Sequence, residues 1–321
     1  MPRITETAGT QCQSWRAGFA MTTVQATKRI DLKSILFLTD FSEPSCDALP
    51  FATAVARGYG SKVYAAHVLV PSSYNYMALE MAGSLLDSQE EMARTEMERV
   101  DAQLAGLPRE TLIERGTSLW DVVSRIISER NIDLIVLGTH GRTGFKKALL
   151  GSSAEEVFRR SPIPVLMSGP SSRVGAHSAG RFRCILFATD FNAASTVAAP
   201  YAVSLAQENQ AQLVLLHSLP LPKPGKTVKP GELSVAEAIH RLETLIPEEA
   251  ELWCRPRPIV EHGDPAAQIL AVAKQSGAEL IVLGVRGLHG MAGVSTRIQS
   301  DTAYDVIAHA PCPVLTVRGE A

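Results

Sequence analysis

No long apolar run exists in this sequence. Its strongest continuous stretches, such as Leu134 to Leu137, fall far short of a membrane span, which needs roughly 20 residues. No helical membrane protein is expected. Cysteine is sparse and scattered: Cys12, Cys46, Cys184, Cys254 and Cys312 make no C-x-x-C pair and no Cys/His spacing suited to zinc. That pattern points to a reduced, cytoplasmic protein without disulfides. Neither charge sign dominates. Lys plus Arg is 31 and Asp plus Glu is 33, a net charge of −2, so general attraction to nucleic acid or an anionic membrane is not expected. Aromatic residues make up only 6%, yet 45% of the chain is hydrophobic, which is too apolar for wholesale disorder. Met1 to Thr23 lacks the apolar centre of a secretory signal. Residues 1–30 show no period and are expected to be a mobile extension, with Met21 an alternative start. There is no G-x-S-x-G, no H-E-x-x-H and no Walker motif. Gly225-Lys226-Thr227 ends like a phosphate loop, but Pro220 stands where its first glycine belongs.

What the chain does have is an internal repeat. Ile35 to Phe41 reads ILFLTDF, and Ile185 to Phe191 reads ILFATDF. LIVLG at Leu134 recurs at Leu280, and Pro164-Val165-Leu166 recurs as Pro313-Val314-Leu315. Three blocks in one order at nearly equal offsets mean a tandem duplication. The 321 residues suit two domains. The expected division is 1–30 extension, 31–169 first domain, 170–181 linker and 182–319 second domain. The Gly- and Ser-rich stretch Gly169 to Arg181 supplies the boundary.

Each unit alternates short apolar runs with helical patterns. In the first, strands are expected at Ser34 to Thr39, Lys62 to Val68, Thr111 to Glu114, Asp133 to Leu137 and Pro164 to Met167. Helices are expected at Ser45 to Tyr59, Leu85 to Leu104, Asp121 to Arg130 and Ser152 to Arg160. In the second, strands are expected near Cys184 to Thr189, Gln212 to His217, Arg257 to Glu261, Glu279 to Leu283 and Pro313 to Val317. Apolar strands alternating with helices predict a parallel sheet covered on both faces. The fold class is α/β: two tandem doubly wound, Rossmann-like domains.

Ligands of such sheets sit at the C-terminal ends of the strands, at the switch point. Three pieces of unit one converge there: Thr39-Asp40, His67-Val68, and the stretch after Leu137. That stretch reads Gly138-x2-Gly141-x9-Gly151-Ser152-Ser153. Glycines admit close approach of a ligand to the backbone. Gly151, Ser152 and Ser153 open a helix, whose free N–H groups favour a phosphate. Arg142, Lys146 and Lys147 could offset phosphate charge. Asp40 could accept a ribose hydroxyl or bind a phosphate-held Mg2+, and Val68 could face the base. Plainer roles stand beside these. Ser152 with Glu155 fits a capping box, and Asp40 could simply hold the turn into the first helix. His140 and His289 read as solvent-facing loop residues. Cys312 reads as a buried small residue, and Met77, Met81, Met92 and Met97 as packing residues.

The pattern LTDFS, AAHVL, LIVLGTHGRTGFKKALLGSSAEEV and PIPVLM resembles the universal stress protein family, here in tandem form across residues 30 to 318. The resemblance implies a five-stranded parallel sheet of order 3-2-1-4-5 in each unit. It implies ATP or a related adenine nucleotide held by the positions matching Asp40, Val68, Gly138, Gly141, Gly151, Ser152 and Ser153. It also implies a role in the stress response. Pairing would run through the fifth strands, as an internal pseudo-dimer, with a homodimer of chains left open.

The second unit departs from the motif. Asp190 is kept, but counting nine residues from Gly287 lands on Arg297, and from Gly290 on Ser300-Asp301. Asp301 is expected at the helix start, where its charge would oppose a phosphate. The leading reading is a nucleotide-dependent regulatory module with an unidentified protein partner. Its loop, Arg142 to Leu150, would order on binding. The alternatives are a slow ATPase or autophosphorylating enzyme, for which no evident base exists, and a nucleotide-free scaffold.

Overall fold

The apolar runs become strands because both faces of the sheet are covered, so every residue of the run is buried. The computed structural model describes residues 30–70, 79–140, 150–172, 181–222, 233–247, 250–286 and 297–319. Unit one runs β1 (Ser34–Leu38), α1 (Glu43–Cys46), α2 (Leu49–Tyr59), β2 (Lys62–Leu69), α3 (Leu79–Gln103), β3 (Arg109–Arg115), α4 (Leu119–Arg130), β4 (Leu134–Gly138), α5 (Ser152–Arg160) and β5 (Val165–Ser168). Unit two runs β6 (Cys184–Ala188), α6 (Ala193–Asn209), β7 (Gln212–Leu219), α7 (Val235–Thr244), α8 (Glu251–Cys254), β8 (Arg257–His262), α9 (Pro265–Ser276), β9 (Leu280–Arg286), α10 (Arg297–His309) and β10 (Val314–Gly319).

The ten strands form one sheet, ordered β3-β2-β1-β4-β5-β10-β9-β6-β7-β8. Each half therefore has the order 3-2-1-4-5, and pairing within each half is parallel. The halves meet antiparallel at β5 and β10, with Leu166 opposite Leu315. The Thr316 hydroxyl donates to the Val165 carbonyl across this seam at 3.2 Å. One apolar core lies on each face of the sheet, and each core draws residues from both units. On one face Phe51 stacks on Phe182 with centroids 6.4 Å apart. The tandem chain is thus an internal pseudo-dimer.

Four expectations change. The helix expected from Ser45 to Tyr59 is two helices, α1 and α2. Pro50 lies in the first turn of α2, where its missing N–H leaves no bond unmade. Helix α3 starts six residues before the expected Leu85, because Leu, Glu, Met and Ala are strong helix formers even where apolar spacing is vague. Several strands run past their expected ends, since the ladder partner continues: Leu69 pairs with Arg115, and Val285 with Arg318. Of the methionines, Met97 is core but Met92 is 62% exposed. Met77, His289 and the decoy Gly225 to Thr227 lie outside the described residues. Cys312 is buried as expected, and burial pushes its thiol up to about 12.

Among the described residues, the Ser168 hydroxyl is buried without a hydrogen-bond partner. An unpaired buried hydroxyl costs about 1–3 kcal/mol. Ser168→Ala is therefore expected to leave the melting temperature unchanged or raise it; a clear fall would mean that the hydroxyl has a partner in solution.

Candidate functional site

Strand β1 ends at Leu38, and the chain must turn at once into α1. Thr39 starts that turn: its hydroxyl oxygen accepts from the Phe41 N–H at 3.0 Å and from the Ser45 hydroxyl at 3.0 Å. Asp40 Oδ1 accepts from the Ser42 N–H at 3.0 Å and from the Ser42 hydroxyl at 2.5 Å. The turn-holding role of Asp40 is thus present. Phe41 has φ +62°, a left-handed conformation that costs a side-chain-bearing residue about 1–2 kcal/mol. Its ring lies 4.4 Å from that of His67, whose Nδ1 bonds the Thr39 carbonyl at 2.8 Å. The strained turn is held from β2. Unit two repeats the device with Phe191, His217 and Thr189.

Gly138 closes β4 directly beneath this turn. A Cβ there would stand 2.5 Å from the Pro44 carbonyl oxygen and 2.9 Å from the Ser45 Cα. The missing side chain makes room for α1. That gives this motif position a reason in backbone packing, whatever it does for a ligand. Gly284 has the same relation to Ala194 in unit two, which gives it a packing reason to stand there although the Gly-Ser end of the motif is replaced.

The other end of the site is the start of α5. Gly151 is the N-cap, and its N–H donates to the Thr139 carbonyl at 2.8 Å. The capping box read from Ser152 and Glu155 does not form. Ser152 is the first helical residue, no side chain among the described residues caps this end, and Glu155 pairs with Arg159 at 2.8 Å. The same S-x-x-E spelling does form a capping box at Ser234 and Glu237. The difference is one of register: Ser234 precedes its helix, whereas Ser152 is inside it. The first N–H groups of α5 therefore have no intrahelical acceptor and, among the described residues, no side-chain cap, and Ser152 and Ser153 are exposed.

These pieces enclose a cavity of about 390 Å³, within the range of ligand sites. Thr39, Asp40, Val68, Leu137, Gly138, Gly151, Ser152 and Ser153 all line it. Gly141 and Arg142, with Lys146 and Lys147, lie outside the described residues. The cavity also takes in Ser45 and Leu119, which were not singled out, and His67, which was placed at this strand end without a role of its own. A signal existed: Ser45 and His67 recur as Ser195 and His217, both offset by 150. His140 is a correction. It lines the cavity half-buried, with Nδ1 2.8 Å from the Thr139 hydroxyl, rather than facing solvent alone. Cys46 sits nearby, and burial, then the Asp40 carboxylate, push its thiol up. That disfavours a thiolate nucleophile. Among the described residues no three His, Cys, Asp or Glu side chains gather to hold a metal ion.

Unit two has a matching cavity of about 290 Å³, lined by Asp190, His217, Leu216 and Arg286 among others. It differs at both ends. Asp190 Oδ1 accepts from Ser195 at 2.6 Å, and Oδ2 accepts from the Asn192 amide at 2.5 Å. Helix α10 begins at Arg297, so Asp301, the counterpart of Ser152 at offset 149, lies in its second turn. Asp301 was expected at the helix start. The helix instead starts four residues earlier, about 6 Å along its axis.

The universal stress protein family model matches residues 32–168 and again 181–318. The chain belongs to the universal stress protein family. A universal stress protein of Mycolicibacterium smegmatis is 25% identical over 299 residues, covering 88% of this chain and 96% of the relative. One from Thermus aquaticus is 35% identical over 140 residues, covering 43% of this chain and 99% of the relative. In structure, a universal stress protein from Archaeoglobus fulgidus aligns with a TM-score of 0.63 at 23% identity, covering 90% of this chain and 99% of that one. The last comparison shows the shared fold. Among the described residues of this universal stress protein, no helix is long and apolar enough to cross a membrane.

Proposed function

We propose that unit one binds an adenine nucleotide, ATP or a relative, and that the protein acts in the cytoplasm as a nucleotide-dependent module of the stress response. The observation that carries this reading is the uncapped start of α5 facing the strained Thr39–Phe41 turn across one cavity. The phosphates sit on the N–H groups and hydroxyls of Ser152 and Ser153. The base lies against Val68 and Leu137. Asp40 takes a ribose hydroxyl, or the Mg2+ that arrives with the phosphates. Gly141 and Arg142 complete the phosphate side.

Unit two is read as the structural and partner-facing half. With α10 begun a turn early, the N–H groups at the position of the phosphates are spent inside the helix. Calorimetric titration of the nucleotide-stripped protein with Mg-ATP is expected to give one site per chain. Two equal sites would overturn the reading of unit two. No binding by the folded protein would overturn the nucleotide site and leave a scaffold.

A further inference from the structure

Helix α5 belongs to unit one, but unit two holds both of its ends. At the N-terminal side, the Leu150 N–H donates to the Tyr304 hydroxyl of α10 at 3.1 Å. Leu150 immediately precedes Gly151, the N-cap. At the C-terminal side, Arg318 of β10 reaches across the seam. Its Nη2 donates to the carbonyls of Phe158 at 2.7 Å and Arg159 at 3.2 Å, and its Nε donates to that of Ser161 at 2.9 Å. The last carbonyls of a helix have no intrahelical donor, and a cation there complements the dipole. The Arg318 Nη1 donates to the Arg286 carbonyl at 3.2 Å, and Arg286 lines the second cavity.

Among the described residues the clamp is one-sided. At the offset of 149, Arg318 corresponds to Gly169 and Tyr304 to Glu155. Gly169 has no side chain to cap α10, and Glu155 is engaged with Arg159 in its own helix. The unit whose helix start is uncapped therefore has its helix positioned by the other unit. Tyr304 is half-buried and packs in the same core as Leu150, Val157 and Phe158, so its ring is fixed. Thr302 and Ala303, on the same turn of α10, line the second cavity.

We propose that Tyr304 and Arg318 are positioning residues for the phosphate end of the first cavity, so that unit two sets how tightly unit one holds the phosphates of its nucleotide. This rests on the nucleotide reading of that cavity. The clamp acts at one end of the ligand only. Leu150 and α5 form the phosphate side, whereas Val68 and Asp40 come from strands and turns that neither residue touches. The clamp should therefore separate ATP from adenosine, which a general loss of folding would not.

The test is calorimetric binding of Mg-ATP and, separately, of adenosine to wild type, Tyr304→Phe and Arg318→Met, with melting temperatures measured alongside. Tyr304→Phe removes one hydroxyl and keeps the ring. It is expected to weaken ATP binding about three- to tenfold, the size of one lost hydrogen bond, with adenosine affinity changed less than about twofold. Arg318→Met should shift ATP in the same direction. If Arg318→Met fails to fold, Tyr304→Phe decides alone. Equal losses for ATP and adenosine, or no loss of ATP affinity, would overturn the inference. Wild type that binds neither compound would overturn the nucleotide reading itself, and the inference with it.

Discussion

Ser152→Asp is expected to abolish most Mg-ATP binding while leaving the free protein as stable as before, or slightly more so. Ser152 is the first residue of α5 and its end has no side-chain cap. A carboxylate there complements the helix dipole, adding about 0.3–1 kcal/mol to stability. The same charge about 5 Å from a phosphate costs roughly 3 kcal/mol at an effective dielectric of 20. That is about two orders of magnitude in affinity. Opposite signs for stability and binding make the result diagnostic. Adenosine, with no phosphate, should bind the variant nearly as well as wild type. Unit two carries this substitution naturally, as Asp301, although its longer helix has already moved the free N–H groups away. If calorimetry finds ATP affinity unchanged in Ser152→Asp, the start of α5 does not hold the phosphates.

Gly138→Ala is expected to destabilise the protein before any ligand is added. The new methyl would meet the Pro44 carbonyl and the Ser45 backbone, and neither can swing aside as a side-chain tip would. Overpacking costs about 1–3 kcal/mol, here at the upper end because backbone must move. The melting temperature should fall by about 5–10 °C, at roughly 2–4 °C per kcal/mol for domains of this size. Displacing α1 also disturbs Ser45 and the Thr39 hydroxyl it bonds, so ATP binding should weaken as well. Gly284→Ala is the companion: the same melting loss, from the clash with Ala194, with the first cavity untouched. A Gly138→Ala protein that melts like wild type and loses only ATP affinity would return this glycine to the ligand.

Much of the site was legible because it follows topology. A doubly wound sheet presents its strand ends at one place, so Thr39, Val68 and Leu137 could be placed there from order alone, and all three line the cavity. The register of α5 was harder. S-x-x-E reads identically at Ser152 and Ser234, and only the position of the preceding backbone decides which serine is a cap. At Gly151 the φ of −63° and ψ of 149° put the helix boundary one residue before Ser152. His67 could be placed at the same strand end, but its role was hidden for a similar reason. Its work is to hold a strained backbone at Phe41, and strain leaves no mark in composition.

By itself the sequence determined the duplication, the α/β class, the family and the cluster of strand-end residues. These depend on local period, on repeated blocks and on the order of elements along the chain. The tertiary structure alone decided why Gly138 must be glycine, that α10 starts a turn early, and that Tyr304 and Arg318 reach α5 from the other unit. The first and the last of these are contacts between residues far apart in the chain, those of Tyr304 and Arg318 about 150 positions apart. The Gly138 contact needs β1 and β4 paired within unit one, and the reach of Tyr304 and Arg318 exists only once β5 and β10 have joined two half-sheets into one.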